Sequence, residues 1–589
     1  MLDERSRSVE EWTAADWGRA IGGATGALIG RDYSHELRIP DPAVVRSAME
    51  RLQRALVDDP ELVFGAFARF SAGMAEVCGW FSRRMEGADE PPPISSPAGD
   101  RRFKDPAWDD DLRFAFIRQA YQLQVSWIRE LVEGARDLDH ATMRKVRFYA
   151  GLAIDAMAPT NQLWTNPAAI AEAVRTEGQS LRQGMANALR DIERGEGKLR
   201  ITRTRSDAFQ LGVNVAATRG SVVYENELMQ LIQYAPATGE VMRRPLLIVP
   251  PWINKFYILD LGEKNSFIRW LVEQGMTVFV ISWVNPGEAH RDKGFSDYLL
   301  EGPESAIDAI REITGEEKVN ILGYCLGGTL TACFLARMRA RGGSRVASAT
   351  FLTTMLDFSD PGDLGVFIDG EQIELLDEAM KERGYLDAQY MQEVFNLLRA
   401  NDLIWSFHVN GYLMGRQPPA FDLLYWNADG TRMPRMMHGF YLRKMYLENL
   451  LTKAGGIELA GEPIDLSRID IPTYFLSTIE DHIAPWKSTY AGLRLLSGDK
   501  RFVLAGSGHI AGVINPETSG KYGYRTTAGL PSTAEAYLDQ AEHNGGSWWP
   551  DWRTWISRHG GDPVPARSIV PGEGRSLEPA PGRYVSILA

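Results

Sequence analysis

The stretch KVNILGYCLGGTLTACFLARM (318–338) is the part of this sequence that decides its fold. A short, continuous apolar run leads into Gly-Tyr-Cys-Leu-Gly-Gly, and apolar residues at helical spacing follow. Gly323 and Gly327 permit a sharp turn, because a side chain on either side of Cys325 would have no room. The pattern predicts a buried strand, a tight turn that exposes the Cys325 thiol, and a helix whose N-terminal dipole favours the thiolate.

Further apolar runs of strand length alternate with helical segments after residue 206. They are PLLIV (245–249), TVFVISW (277–283), SATFLTTM (348–355), TYFLS (473–477) and RFVL (501–504). Continuous apolar strands that alternate with helices are typical of a parallel sheet covered on both faces. The gap between the third and fourth of these runs is too long for a crossover connection. We therefore expect residues from about 360 to 465 to form an inserted cap.

The first 205 residues are predicted to form a separate helical domain. Apolar residues recur at helical spacing in two places, at Val45, Met49, Leu52 and Leu56 and again at Phe114, Ile117, Tyr121, Ile128 and Val132. A length of 589 residues is also too great for one ordinary core. Spare apolar surface on such a domain would suit contact with a partner or with an apolar particle.

Composition argues against several classes of function. A net charge of −13 argues against nucleic acid as a partner. The charged N-terminus does not read as a secretory signal, and without a run of 18 apolar residues no transmembrane segment is expected. The three cysteines are too few for a disulfide framework, and we expect Cys78 and Cys333 to be buried thiols in a reducing cytosol.

Two later strand ends carry the partners that a cysteine nucleophile needs. Glu480 and Asp481 follow the run at 473–477, and His509 follows the run at 501–504. The order nucleophile, acid, histidine is that of α/β-hydrolases. We expect His509 to act as general base and Asp481 to hold its tautomer, with Glu480 as the competing acid.

An oxyanion hole would need two backbone N–H donors beside the nucleophile. The first is expected from Leu326, the residue after Cys325. The second is expected from the loop PPWIN (250–254), with Trp252 as the first choice and Ile253 as the next. The fold predicted overall is an α/β-hydrolase-type, doubly wound, mostly parallel sheet (206–589) with an inserted cap, preceded by the helical domain (1–205).

Long blocks of the sequence resemble the signature regions of polyhydroxyalkanoate synthases, and the length resembles the class I, single-subunit type. The blocks are PPWINKFYILDL (250–261), GYCLGG (323–328), FDLLYWNADGTRMP (421–434), EDHIAPW (480–486) and SGHIAGVINP (507–516). The resemblance implies an acyltransferase that polymerises (R)-3-hydroxyacyl-CoA into polyester with release of CoA. It implies short-chain substrates such as 3-hydroxybutyryl-CoA, a Cys-bound acyl thioester, no metal, and no cofactor beyond the CoA of the substrate.

The same resemblance implies roles for individual residues and for partners. Cys325, His509 and Asp481 match the catalytic residues of the family; Asn449 is placed near the substrate, Arg399 near the CoA entrance and Trp426 near a dimer contact. It also implies a homodimer in the cytoplasm, bound to polyester granules and in contact with granule-associated proteins.

Three other functions remain open from the residues alone. A hydrolase of esters or thioesters could use the same triad and would release free hydroxy acid. A granule-coat or scaffold protein could retain the fold without catalysis. A small-molecule acyltransferase would release CoA only after an alcohol acceptor is added.

Overall fold

A computed structural model describes residues 39–95, 99–567, 569 and 575–588 of the chain. These residues fall into two compact units. The first comprises residues up to 205 together with 393–420, and the second comprises 206–392 together with the residues from 421 onward.

The first unit is helical, as the apolar spacing predicts. Its seven main helices are α1 (Pro42–Asp58), α2 (Pro60–Met85), α3 (Ala107–Asp110), α4 (Leu112–Gly134), α5 (His140–Ala156), α6 (Pro167–Arg175) and α7 (Gln179–Arg194). Aspartates cap α1 and α2, since Asp41 and Asp59 accept hydrogen bonds from the first-turn N–H groups. Tyr121 of α4 lies in a buried cluster with Phe103 and Trp108, and the predicted Phe114, Ile117 and Ile128 pack against that cluster.

The segment 393–420, which lies inside the expected cap, folds with the first unit. Gly184 of α7 allows this, because a side chain there would overlap the backbone of Tyr412. The Tyr412 hydroxyl donates to the buried Asp191 (2.6 Å), and Asn187 donates to the Gly411 carbonyl (2.9 Å). These contacts involve residues more than 200 positions apart, so local sequence patterns carry no sign of them. That the rest of 360–465 acts as a cap stays a prediction.

Helix α2 differs in two ways from what the sequence suggests. It is long and apolar enough to cross a membrane by length and composition, and 11% of its apolar stretch is buried. Core helices of water-soluble proteins pass the same test, so this feature alone does not place the helix in a membrane. The expectation that Cys78 is buried is wrong, because it lies on the exposed face of α2, whereas Cys333 is buried as expected.

The second unit is built on an eleven-stranded sheet, in the order β15-β14-β13-β12-β7-β6-β4-β5-β2-β1-β17. The six neighbours from β13 to β5 are all parallel. They are β4 (Leu246–Val249), β5 (Val278–Trp283), β6 (Val319–Tyr324), β7 (Val346–Leu352), β12 (Thr473–Thr478) and β13 (Lys500–Ala505). These six strands coincide with the six apolar runs of the sequence, so the prediction of a parallel sheet is confirmed.

Antiparallel strands flank this parallel core on both sides. They are β1 (Gly220–Glu225), β2 (Met229–Tyr234), β14 (Tyr524–Thr526), β15 (Glu542–Asn544) and β17 (Glu578–Pro579). The sequence does not reveal β2, because Gln230 and Gln233 interrupt its apolar run although both are buried. Gln230 is satisfied by the Glu225 carboxylate (2.6 Å), a partner that only the folded sheet supplies.

Helices and short strand pairs complete the unit. The helices are α8 (Phe267–Glu273), α9 (Phe295–Leu299), α10 (Ser305–Thr314), α11 (Leu326–Ala340), α12 (Gly370–Arg383), α13 (Ala388–Leu398, which runs into the first unit), α15 (Asp422–Ala428), α16 (Arg435–Phe440), α17 (Trp486–Leu493), α18 (Ala534–Gln540) and α19 (Trp549–Ser557), with α14 (Ser406–His408) in the first unit. The short strands are β3 (Glu240–Met242) with β16 (Pro563–Pro565), β8 (Tyr385–Leu386) with β9 (Met433–Pro434), and β10 (Glu458–Leu459) with β11 (Glu462–Pro463). Residues Tyr441–Leu447 form a π-helix after α16.

Candidate active site

The turn between β6 and α11 holds Cys325 in a strained backbone conformation, with φ 51° and ψ −120°. Non-glycine residues adopt such a conformation at a cost, and it is common where a side chain must be presented for chemistry. A side chain at Gly327 would overlap the carbonyls of Val249 and Pro250, and one at Gly323 would overlap Gly328. The glycines therefore let the turn lie directly against the end of β4. The Cys325 thiol is free and partly exposed.

Asp481 and His509 come together as the sequence order predicts. The His509 Nδ1 lies 2.7 Å from Asp481 Oδ2, and the Asp481 carboxylate is fully buried. The other oxygen of Asp481 accepts hydrogen bonds from the backbone N–H groups of Ile483 and Ala484, both at 2.9 Å. These bonds fix the carboxylate on its loop, so that Nδ1 carries the proton and Nε2 is left for chemistry.

The His509 ring is buried and lies close enough to Cys325 for the charge of the sulfur to act on it. Burial alone would lower the pKa of His509, but the charges of Asp481 and Cys325 raise it well above its usual value. The ring stacks on Tyr324, whose hydroxyl donates to the His509 carbonyl (3.1 Å). Sequence reasoning missed Tyr324; its place directly before the nucleophile was the available signal.

The competing acid, Glu480, is exposed, and its backbone N–H bonds to Ser507. It belongs to the same loop as Asp481, yet it is Asp481 whose carboxylate reaches the His509 ring. The geometry therefore favours Asp481 as the acid of the triad.

The residues expected to donate to an oxyanion lie at the ends of two adjacent strands. Strands β4 and β6 are adjacent and parallel, with Val249 opposite Gly323, so the loop after β4 leaves the sheet beside Cys325. In the part of the chain that the structure describes, the backbone N–H groups of Leu326, Trp252 and Ile253 have no hydrogen-bond partner. These three groups are available to an oxyanion.

Asn449, Arg399 and Trp426, whose roles are implied only by the family resemblance, have different surroundings. Asn449 has a positive φ of 47°, accepts from the Phe358 N–H and donates to the Asp357 carboxylate, both at 2.9 Å. Arg399 belongs to the first unit, where it pairs with Asp402 (3.0 Å). Trp426 is buried, and its indole N–H donates to the Lys255 carbonyl (2.7 Å). Substrate contact by Asn449 or Arg399 and a dimer contact at Trp426 stay predictions.

Two tyrosines near the nucleophile escaped sequence reasoning. Tyr441 and Tyr446 lie five positions apart, and the π-helix brings their rings to 5.2 Å. Phe358 packs against Tyr446 at 4.8 Å. Burial raises the pKa of both phenols, and the charge of Cys325 adds to the shift. An α-helical spacing would have separated these rings, so the apolar pattern alone could not pair them.

Two family models match the chain. The model described as "Poly-beta-hydroxybutyrate polymerase (PhaC) N-terminus" matches residues 99–271, and the model described as "alpha/beta hydrolase fold" matches residues 245–516. The second match spans the parallel core together with Cys325, Asp481 and His509. The predicted α/β-hydrolase fold is thereby confirmed.

Curated relatives extend the similarity over most of the chain. The chain is 46% identical over 544 residues to the poly(3-hydroxyalkanoate) polymerase of Methylorubrum extorquens, which covers 92% of this chain and 89% of the relative. It is 44% identical over 541 residues to polymerase subunit PhaC of Rhizobium meliloti (92% and 88%), and 42% identical over 505 residues to that of Cupriavidus necator (84% of each). The resemblance noted from the sequence blocks is confirmed, and the chain belongs to the poly(3-hydroxyalkanoate) polymerase family.

Proposed function

We propose that this protein polymerises (R)-3-hydroxyacyl groups, delivered as CoA thioesters, into a polyester and releases CoA. The observation that carries the proposal is the Cys325–His509–Asp481 arrangement in a chain that is 46% identical to a poly(3-hydroxyalkanoate) polymerase. Cys325 is the nucleophile, His509 the general base, and Asp481 the residue that orients His509.

In the first step the Cys325 thiolate attacks the carbonyl carbon of the acyl-CoA thioester. The carbonyl oxygen becomes an oxyanion, which accepts hydrogen bonds from Leu326 and from the loop that carries Trp252 and Ile253. Collapse of this intermediate breaks the bond to the CoA sulfur. The departing thiolate takes the proton from the His509 imidazolium, and the acyl group remains on Cys325 as a thioester.

In the second step the hydroxyl group of another 3-hydroxyacyl unit attacks the acyl thioester. His509 accepts the hydroxyl proton as the oxygen–carbon bond forms, and the sulfur of Cys325 leaves as a thiolate. The product is an oxoester, which is more stable than the thioester, so repeated cycles lengthen the polymer. No metal and no cofactor other than the CoA of the substrate takes part in this scheme.

Water is the competing nucleophile, and the aromatic residues beside Cys325 oppose it. Tyr441 and Tyr446, both partly buried, form an aromatic cluster with the buried Phe358. Such a cluster lowers the amount of water that can reach the acyl thioester. It therefore favours polymerisation over hydrolysis.

Short-chain substrates, contact of Asn449 and Arg399 with substrate, a homodimer, and a cytoplasmic location on polyester granules with granule-associated proteins belong to the same proposal. Their support is the resemblance to class I synthases. A fluorescent fusion of the full chain, expressed in cells that make (R)-3-hydroxybutyryl-CoA, would be expected to surround polyester inclusions.

The central test uses the purified full chain and (R)-3-hydroxybutyryl-CoA. Thiol release and turbidity are followed together, and we expect both to rise in parallel for the wild type. Cys325→Ala should lower both rates by a factor of about 10⁴ or more, because the only nucleophile is gone. Cys78→Ser is the matched control, since this thiol is exposed on α2, and its rates should equal those of the wild type.

The products distinguish the alternatives. Free 3-hydroxybutyrate without turbidity would identify a hydrolase, and CoA release only after addition of a small alcohol would identify a small-molecule acyltransferase. Full activity of Cys325→Ala would exclude the proposed nucleophile.

A further inference from the structure

The loop after β4, residues 250–257, is held by a segment far away in the sequence. Three of its carbonyl groups accept hydrogen bonds from residues 426–431. The Thr431 hydroxyl donates to the Trp252 carbonyl, the Thr431 N–H donates to the Ile253 carbonyl (3.3 Å), and the Trp426 indole donates to the Lys255 carbonyl (2.7 Å). Asn254 and Gly430 also pair as an antiparallel bridge.

Side chains reinforce the same contact. The Lys255 ammonium lies 3.2 Å from Asp429, and the Tyr257 hydroxyl donates to the other oxygen of that carboxylate (2.8 Å). Thr431, Trp426 and the Lys255 side chain are all buried, so water does not compete for these bonds. The segment 426–431, which we name the clamp, therefore holds the loop through buried polar contacts.

The clamp fixes the direction of the loop's N–H groups. In a planar trans peptide the carbonyl and the following N–H point in opposite directions. The Thr431 hydroxyl holds the Trp252 carbonyl, so the Ile253 N–H of the same peptide must point away from the clamp. That N–H group has no partner among the described residues, and it belongs to the loop that begins against Gly327 of the nucleophile turn.

We propose that Thr431 is a positioning residue, which holds the peptide between Trp252 and Ile253 so that the loop after β4 can donate to the oxyanion. Trp426 supports the same loop by fixing the Lys255 carbonyl, three residues after Trp252. The inference rests on the proposed function, and it predicts that steps passing through an oxyanion depend on Thr431, whereas the reactivity of the Cys325 sulfur does not.

The test compares two reactions of one thiol in a Cys78→Ser background, where Cys325 is the accessible cysteine of the described residues because Cys333 is buried. Acylation is measured as single-turnover release of CoA from (R)-3-hydroxybutyryl-CoA. Alkylation by iodoacetamide is measured in parallel, since attack on a saturated carbon forms no oxyanion. Thr431→Val keeps the shape and the N–H group but removes the hydroxyl, and Thr431→Ser restores it.

We expect Thr431→Val to lower the acylation rate by a factor on the order of 10 to 100, with the half-saturating substrate concentration and the alkylation rate unchanged within about twofold. Thr431→Ser should recover at least half of the wild-type rate. Acylation at the wild-type rate in Thr431→Val would overturn the inference. An equal loss of acylation and alkylation would also overturn it, because the defect would then be a general collapse of the site.

Trp426→Phe gives an independent answer if Thr431→Val does not fold. It removes one donor to the loop and keeps the aromatic packing, so we expect a smaller, acylation-specific loss of about threefold to tenfold. No such loss would overturn the inference. Absence of CoA release by the wild type would instead contradict the proposed function. Failure of the further inference differs from this, because it appears only in the variants while the wild type still releases CoA.

Discussion

The nucleophile turn and the loop after β4 leave neighbouring strands, yet they are held in place in different ways. The turn is shaped by residues within a few positions of Cys325, mainly Gly323 and Gly327 and the first turn of α11. The loop at 250–257 depends on the clamp at 426–431, which lies more than 170 positions away in the chain. One half of the site is therefore positioned locally by the sheet, and the other half by a segment that is distant in the sequence.

This difference separates the catalytic residues, which the sheet fixes, from the loop at 250–257, which can respond to changes in the clamp. Cys325, Asp481 and His509 all follow strands of the parallel core, so their relative positions persist as long as the sheet is folded. The loop at 250–257 and the aromatic cluster are supported by residues from the region 421–447. Changes in that region are expected to alter catalysis without altering the triad.

The half of the site that the sheet holds (Cys325, Asp481 and His509) is tested most severely by Asp481→Asn. The amide cannot hold the His509 tautomer, so we expect the rate of CoA release to fall by a factor of about 10³–10⁴. The neighbouring exposed carboxylate offers a matched control, and Glu480→Gln should change the rate by less than about twofold. Initial rates with (R)-3-hydroxybutyryl-CoA measure both. If Glu480→Gln lowered the rate of CoA release more than Asp481→Asn does, Glu480 rather than Asp481 would be the acid of the triad.

The same contrast explains how much the sequence could predict. Six strands were predictable because each parallel strand is a continuous apolar run, and Asp481 and His509 because strand ends meet at one edge of the sheet. Segment 393–420 was not, since its place depends on contact between Gly184 and Tyr412. The clamp was equally hidden, because hydrogen bonds to backbone carbonyls leave no pattern in the residues that accept them.

The half of the site that the clamp holds, the loop at 250–257, is tested by breaking the buried ion pair between Lys255 and Asp429. Lys255→Met leaves the Asp429 carboxylate buried without its cation, and it orphans the carbonyls of Val585 and Ile587 to which Lys255 donates at 2.6 and 2.7 Å. We expect the free energy of unfolding to fall by about 3–5 kcal/mol, measured by urea titration of the full chain.

Two variants sharpen that measurement. The double variant Lys255→Met/Asp429→Leu should recover a large part of the loss, because no uncompensated charge is then buried. Lys487→Met is the exposed counterpart, since Lys487 pairs with Glu535 at 2.6 Å on the surface, and it should cost less than about 1 kcal/mol. Equal losses in Lys255→Met and Lys487→Met would contradict the structural role of the buried pair.

Two buried histidines, one in each half of the site's surroundings, have pKa values that are shifted in opposite directions. His509 of the sheet-held half has an acid partner, and its pKa is raised. Its stabilising contribution is therefore fully present below pH 6.5 and is lost only as the pH rises through that raised pKa. His438 of α16, in the region 421–447, has no hydrogen-bond partner for its ring among the described residues, and burial lowers its pKa to about 4.

Between pH 6.5 and 4 the unfolded chain binds a proton at His438 that the folded chain does not bind, so the free energy of unfolding must fall as the pH decreases. His509 contributes equally to the pH dependence of the wild type and of His438→Gln, so its contribution cancels when the two are compared. From the two pKa values we expect the wild type to lose about 2 kcal/mol between pH 7.5 and 5.0 that His438→Gln does not lose. Urea titrations at the two pH values, with the exposed His140→Gln as control, measure the difference. An identical pH dependence in wild type and His438→Gln would mean that His438 takes up its proton without disturbing α16, and that this region is less sensitive to acid than the burial of His438 indicates.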